Sequence, residues 1–201
     1  NEEVSEHVLK VREVLKHSGA IEVRTAKDEA ERMIFWKGRK AAFPAVGRIS
    51  PDYYCMDGTI PRKQLPRVLK AIADMSKEYK LPVANVFHAG DGNLHPLILY
   101  DANVPGELER TEEFGGKILE LCVAVGGTIT GEHGVGMKKI NQMCVQFNKL
   151  ELTQFHAVKA AFDEEGLLNP GKAVPTLHRC AEFGAMHVHK GKLAFPELER
   201  F

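Results

Sequence analysis

The segment from Val83 to Tyr100 constrains this chain more than any other stretch. Two apolar, β-prone runs, Val83-Ala-Asn-Val-Phe-His88 and Leu94-His-Pro-Leu-Ile-Leu-Tyr100, flank the turn former Gly90-Asp-Gly-Asn93. The pattern predicts two antiparallel strands joined by a short loop. His88 leaves the first strand and His95 enters the second, so closing the loop brings the two imidazoles across from one another. Opposite residues in such a pair have Cβ atoms about 4.5–5.5 Å apart, close enough for both rings to grip one ion.

The rest of the chain supplies enough material for one domain with an extension. It has 201 residues, 44% hydrophobic and 27% charged, which suffices for a buried core. With 27 basic and 27 acidic side chains, nothing favours electrostatic capture of nucleic acid or of an anionic membrane. No apolar run approaches the roughly 18 residues of a membrane span, and no signal peptide is visible. Cys55, Cys122, Cys144 and Cys180 are scattered, without a Cys-x-x-Cys. That spacing argues against a zinc finger, an iron–sulfur cluster or a disulfide scaffold, and a cytoplasmic location is the simplest expectation.

The chain begins without Met inside a helical pattern of Val4, Val8, Val11 and Leu15, as a fragment would. Ala20 to Thr25 alternates like a strand, and Thr25 with Asp28 and Glu29 predicts a helix start. Asp52 to Met56 predicts a strand, and Leu65, Val68, Leu69, Ile72, Met75 and Tyr79 a helix. A further helix is expected over about Glu107 to Val125, with Gly115-Gly116 weakening its middle. A short strand at Thr128-Ile-Thr130 follows. Helices from about Met137 to Phe147 and Leu152 to Glu165 complete the series, the last with Phe155, Val158 and Phe162 facing inward. Hairpins set between helices favour an α+β fold, a mainly antiparallel sheet with helices packed on it. The domain is expected over residues 1–174, with a tail over 175–201 that wraps the domain or binds a partner.

Gly131-Glu-His-Gly-Val-Gly136 is a glycine-rich loop around two ionisable side chains. His88, His95 and Glu132 make a two-imidazole, one-carboxylate set that leaves a coordination position open, the usual design of a catalytic rather than a structural metal site. Neighbours in extended chain point to opposite sides, which frees His133 to act as a base. Each residue alone has a plainer reading. A histidine at a strand end is usually hydrogen-bonded structure, and Glu132 can cap a helix or pair with Lys138 or Lys139.

Three stretches taken together carry a resemblance: His88-Ala-Gly-Asp-Gly-Asn-Leu-His95, Gly126-Gly-Thr-Ile-Thr-Gly-Glu-His-Gly-Val-Gly136 and Leu167-Leu-Asn-Pro-Gly-Lys172. They resemble signatures of the C-terminal domain of FAD-linked 2-hydroxyacid oxidoreductases, flavoproteins of the vanillyl-alcohol-oxidase type. The run from Trp36 to Pro61 and the ending Phe195 to Phe201 narrow the likeness to the glycolate-oxidising branch.

The resemblance implies a ferredoxin-like substrate domain that caps an FAD held by a separate N-terminal domain. It implies His88, His95 and Glu132 as ligands of zinc or another divalent ion, His133 as the base and Arg39 as the grip on the substrate carboxylate. By its own sequence context, Arg39 is equally a surface charge at a helix end. Asn169, before Pro170, either approaches the flavin or only makes a turn. Leu97 stands where the related 2-hydroxyglutarate enzymes have Asn, which suits a small substrate such as glycolate or D-lactate. The implied partners are other subunits of a glycolate-oxidase-type assembly, an iron–sulfur subunit among them, through which the protein could lie peripherally at a membrane. Gly90-Asp-Gly92 is not a dinucleotide fingerprint, so the chain alone is expected to be inactive. A metal-dependent hydrolase and a non-catalytic interaction module stay open as other readings.

Overall fold

The computed structural model describes residues 2–175, so the expected tail lies outside the described residues apart from Pro175. The chain divides into two compact units, Asn1–Ala45 and a second that begins at Val46.

The first unit contains α1 (Glu2–His17) and α2 (Glu29–Lys40), and α3 (Ala42–Val46) follows. The cap of α2 is Asp28, whose side chain accepts a 2.8 Å bond from the Glu31 amide. Thr25 lies too early for that role. Ala20 to Thr25 forms no strand. No strand among the described residues pairs with it, and alternation alone does not make a ladder.

The second unit is the α+β body. It has β1 (Asp52–Cys55), β2 (Gly58–Thr59), α4 (Leu65–Tyr79), β3 (Val83–His88), β4 (Asn93–Tyr100), α5 (Glu107–Ala124), α6 (Ile140–Gln146) and α7 (Lys149–Phe162). Among the described residues all strand pairing is antiparallel and centres on β4, with β3 on one side and β1 and β2 in succession on the other. Cys55 pairs with Leu97 and Gly58 with Leu94, so the register is unbroken across Met56 and Asp57. The gap between β1 and β2 is therefore not a bulge. It falls opposite Pro96, which accepts a bond from the Met56 amide but has no N–H to return one.

Helices α4 and α5 cover one face of the sheet. Val68, Ile72, Phe114, Ile118 and Leu119 interlock there with Tyr54, Met56, Leu94 and Ile98. α5 runs unbroken through the glycine pair, and Gly115 lets the helix approach the sheet. A Cβ there would lie 2.9 Å from Met56 Sδ and 3.0 Å from Tyr54 Cε1.

Two further expectations fail. Thr128 to Thr130 contributes only an isolated bridge, Thr59 to Thr128, and beyond it the Ile129 amide donates to Gln146 Oε1 instead of to a strand. In α7 only Leu152 is buried, whereas Phe155, Val158 and Phe162 are exposed at 36%, 60% and 84%. Helical spacing shows that residues share a face, not that anything covers it. No helix among the described residues is long and apolar enough to cross a membrane.

Candidate functional site

The face of the sheet opposite α4 and α5 carries the site. Alternation along β4 sends Leu94 and Ile98 into the core, and Asn93 and His95 to the opposite face. A four-residue turn closes the hairpin: the amides of Asp91 and Gly92 both donate to the His88 carbonyl. Gly92 has φ +74°, and a Cβ on it would strike the Ile60 carbonyl. The closing pair is His88 with Asn93, while His95 lies opposite Val86. The two histidines are thus diagonal neighbours on one face rather than directly opposed. Their ring centroids are 5.3 Å apart, edge to face.

The glycine loop completes the cluster. Its entry is fixed where Thr59 and Thr128 exchange both backbone bonds, at 3.0 and 2.8 Å. Gly131 then passes close under Asn93 and Thr59, leaving no space for a Cβ. Glu132 Oε1 lies 2.9 Å from His95 Nε2 and 3.9 Å from His88 Nε2. The donor atoms of His88, His95 and Glu132 all fall within 4.8 Å of one another. Donors around a tetrahedral ion, at bonds of about 2.0–2.2 Å, are separated by roughly 3.4 Å, so this set fits a divalent cation after small side-chain shifts.

His133 is not turned away from Glu132. Its Nε2 is 3.7 Å from Glu132 Oε1, and its ring stacks on His95 at 5.0 Å between centroids. The argument from extended chain fails because residues 131–133 are bent. The cause is Asp57, whose carboxylate accepts bonds from the amides of Gly131, Glu132 and His133 and from Thr130 Oγ1. Three successive N–H groups turned toward one oxygen curl the backbone and bring both following side chains to the same place.

Asp57 is fully buried and faces Lys139, whose Nζ donates to its Oδ2 at 2.9 Å, to its carbonyl at 3.0 Å and to Thr130 Oγ1. Burial pushes the Asp57 carboxyl up, but the bonds from Lys139, the His133 amide and Thr130 outweigh it and hold the group well below the usual carboxylate range. Sequence reasoning missed both residues. Asp57 in Met-Asp-Gly-Thr looks like a turn former, and Lys139 looks like a surface charge. The available signal was alternation, since Asp57 falls on the same face as Cys55 and would be buried there. Neither lysine joins Glu132: Lys139 is on Asp57, and Lys138 Nζ lies 4.6 Å over the Tyr54 ring.

The other candidates lie apart in the chain. Arg39 is in the last turn of α2, in the first unit. Asn169 takes φ +48° and accepts a 3.2 Å bond from Lys172 Nζ, which is the geometry of a turn. Cys55, in the sequence only one of four scattered cysteines, shares the site face, and its sulfur lies within 4.8 Å of donor atoms of His95 and His133. Burial is the largest influence on its thiol, which is pushed up to about 11.

The family model for FAD linked oxidases, C-terminal domain, matches residues 1–173. The chain is 72% identical, over 99% of its length, to the glycolate oxidase subunit GlcD of Escherichia coli (strain K12), of which it covers 40%. It is 37% identical over 85% of its length to the glycolate oxidase subunit GlcD of Bacillus subtilis (strain 168), covering 36% of it. It is 32% identical over 85% of its length to the probable mitochondrial D-lactate dehydrogenase of Danio rerio, covering 35% of it. The chain therefore spans well under half of each of these relatives. A match over that much of the chain makes it a member of the FAD-linked oxidase family, corresponding to the C-terminal domain.

Proposed function

We propose that this chain is the substrate- and metal-binding part of an FAD-dependent 2-hydroxyacid oxidoreductase. The whole protein oxidises glycolate, or D-lactate, to the 2-oxoacid by hydride transfer to flavin. The observation that carries this reading is the convergence of His88, His95 and Glu132 on one point, with His133 stacked beside them. The names of the relatives support a small 2-hydroxyacid as substrate.

In this reading His88, His95 and Glu132 hold zinc or another divalent ion, which when bound supplies Lewis acidity toward a substrate hydroxyl. His133 takes the hydroxyl proton on an imidazole nitrogen. Arg39 pairs with the substrate carboxylate in a bidentate, charge-assisted contact. Asp57 and Lys139 keep Glu132 and His133 aimed at the same place. FAD would be held mainly by the rest of the protein, with Asn169 near it, and would supply the hydride acceptor. Partner subunits, among them an iron–sulfur protein, carry the electrons onward and set any association with a membrane.

The test is metal analysis of the purified chain and of His88→Ala and Glu132→Ala, followed by glycolate and D-lactate oxidation in the full-length protein. Near-stoichiometric divalent ion in the parent, lost in both variants together with flavin reduction, is the expected result. Ion content that both variants retain would remove the basis of the assignment.

A further inference from the structure

We infer that the same face carries a second, thiophilic cation site, formed by Cys55, His95 and His133, which overlaps the first through His95. The sulfur of Cys55 and one nitrogen from each imidazole lie within 4.8 Å of one another. Cys55 reaches that position because it pairs with Leu97 on β4, two residues from His95 and on the same face. His133 reaches it because the loop curls around Asp57 and lays its ring on His95.

Two observations point to a ligand. The His95 side chain is only 4% exposed, and its Nδ1 is buried with no hydrogen-bond partner, whereas Nε2 faces Glu132. A buried imidazole nitrogen without a partner is costly unless something binds there. His133 is half exposed, so its side of the cluster is open to solvent and gives a cation a way in.

The donor chemistry differs from that of the first set. A thiolate with two imidazoles prefers soft and borderline ions such as cobalt(II), zinc(II), cadmium(II) or copper(I), whereas exchanging the thiolate for a carboxylate shifts preference toward harder ions. Drawing the three donors onto one ion requires the exposed His133 ring to shift by about an ångström. The Cys55 thiol proton leaves to solvent as the sulfur–metal bond forms, and no electron is transferred. Occupation ties up His133 and engages His95, so a thiophilic ion here blocks the proton acceptor of the proposed reaction. The inference depends on the geometry of Cys55, His95 and His133 and not on the ion held by His88 and Glu132.

Cobalt(II) is the probe, added to the whole metal-free chain and to Cys55→Ser, His133→Ala and His88→Ala, with spectra and bound cobalt measured in each. A near-ultraviolet thiolate-to-cobalt band is expected in the parent and in His88→Ala. It should be absent in Cys55→Ser and diminished at least tenfold in His133→Ala. No such band in the parent, or a band undiminished in Cys55→Ser, would overturn the site. Cobalt bound by Cys55→Ser without the band reports the other donor set, so failure of one site is distinguishable from failure of the other.

Discussion

Asp57 Oδ2 lies 2.9 Å from Lys139 Nζ, with the two side chains 0% and 6% exposed. They are 82 residues apart in the chain, and between them they hold the loop that carries Glu132 and His133. Removing one member leaves the other charge buried without its partner, and that is where the largest losses from single substitutions outside the apolar core are expected.

Lys139→Met should destabilise the second unit by about 3–5 kcal/mol in urea unfolding. The double variant Asp57→Asn, Lys139→Met should lose less than the sum of the singles, since neither charge is then stranded. A single-variant loss below about 1 kcal/mol, the range of exposed pairs, would contradict the coupling.

The acid side of the stability profile follows from the same carboxyl. Its folded pKa is held below the unfolded value of about 3.9. Its ionised form therefore contributes stability that is fully present above roughly pH 4 and is lost as pH falls toward the folded value. The stability gap between the parent and Asp57→Asn should narrow as pH is lowered from 5 to about 3. A gap that stays constant over that range would show that Asp57 titrates normally.

How much of this was legible beforehand depended on the length of each signal. The hairpin was readable because two long β-prone runs enclose a turn with only one sensible closure, and α4 because its apolar stripe spans four turns. Ala20 to Thr25 and Thr128 to Thr130 show that period-2 alternation does not by itself mean pairing. The site divided the same way. His88 ends β3, His95 lies near the start of β4 and Glu132 sits in a glycine-rich loop, and all three flank turn residues that advertise them. Asp57 acts through burial, and its partners include three backbone amides that no sequence motif encodes.

The adjacent glycines of α5 should respond in opposite directions. At Gly115 a Cβ meets Met56 Sδ at 2.9 Å and a Tyr54 ring carbon at 3.0 Å, so Gly115→Ala should cost about 1–3 kcal/mol through overpacking. At Gly116 the obstacle is the end of the Gln142 side chain, also at 2.9 Å, which can rotate away. Gly116→Ala should then gain up to about 1 kcal/mol from helix propensity. Thermal or urea unfolding of both variants decides it, and equal effects would mean that helix propensity, not contact with the sheet, governs this turn.

Cys55 should alkylate slowly in the metal-free chain. Burial, the largest influence, raises its thiol from 9.0 to about 11. At pH 8 its thiolate fraction is then about a hundredfold below that of an ordinary thiol. Iodoacetamide labelling followed by mass spectrometry should show a rate that climbs about tenfold per pH unit up to pH 10. Labelling at pH 8 as fast as a small-molecule thiol would show that the sulfur is neither desolvated nor shielded.

His133 and Arg39 should separate in kinetics of the full-length protein if their proposed roles hold. A proton acceptor contributes to the transition state, so His133→Ala should lower kcat for flavin reduction by about 10²–10⁴ while leaving ion content unchanged. A carboxylate clamp acts on the bound ground state as well, so Arg39→Ala should chiefly raise KM. Loss of a charged, bidentate pair worth about 1.5–3 kcal/mol corresponds to roughly a ten- to hundredfold change. The discriminating substrate is the matching alcohol without a carboxylate. Arg39→Ala should leave its oxidation nearly unaltered, whereas His133→Ala should impair both substrates alike. An Arg39 variant equally impaired on both would place that guanidinium in a structural role.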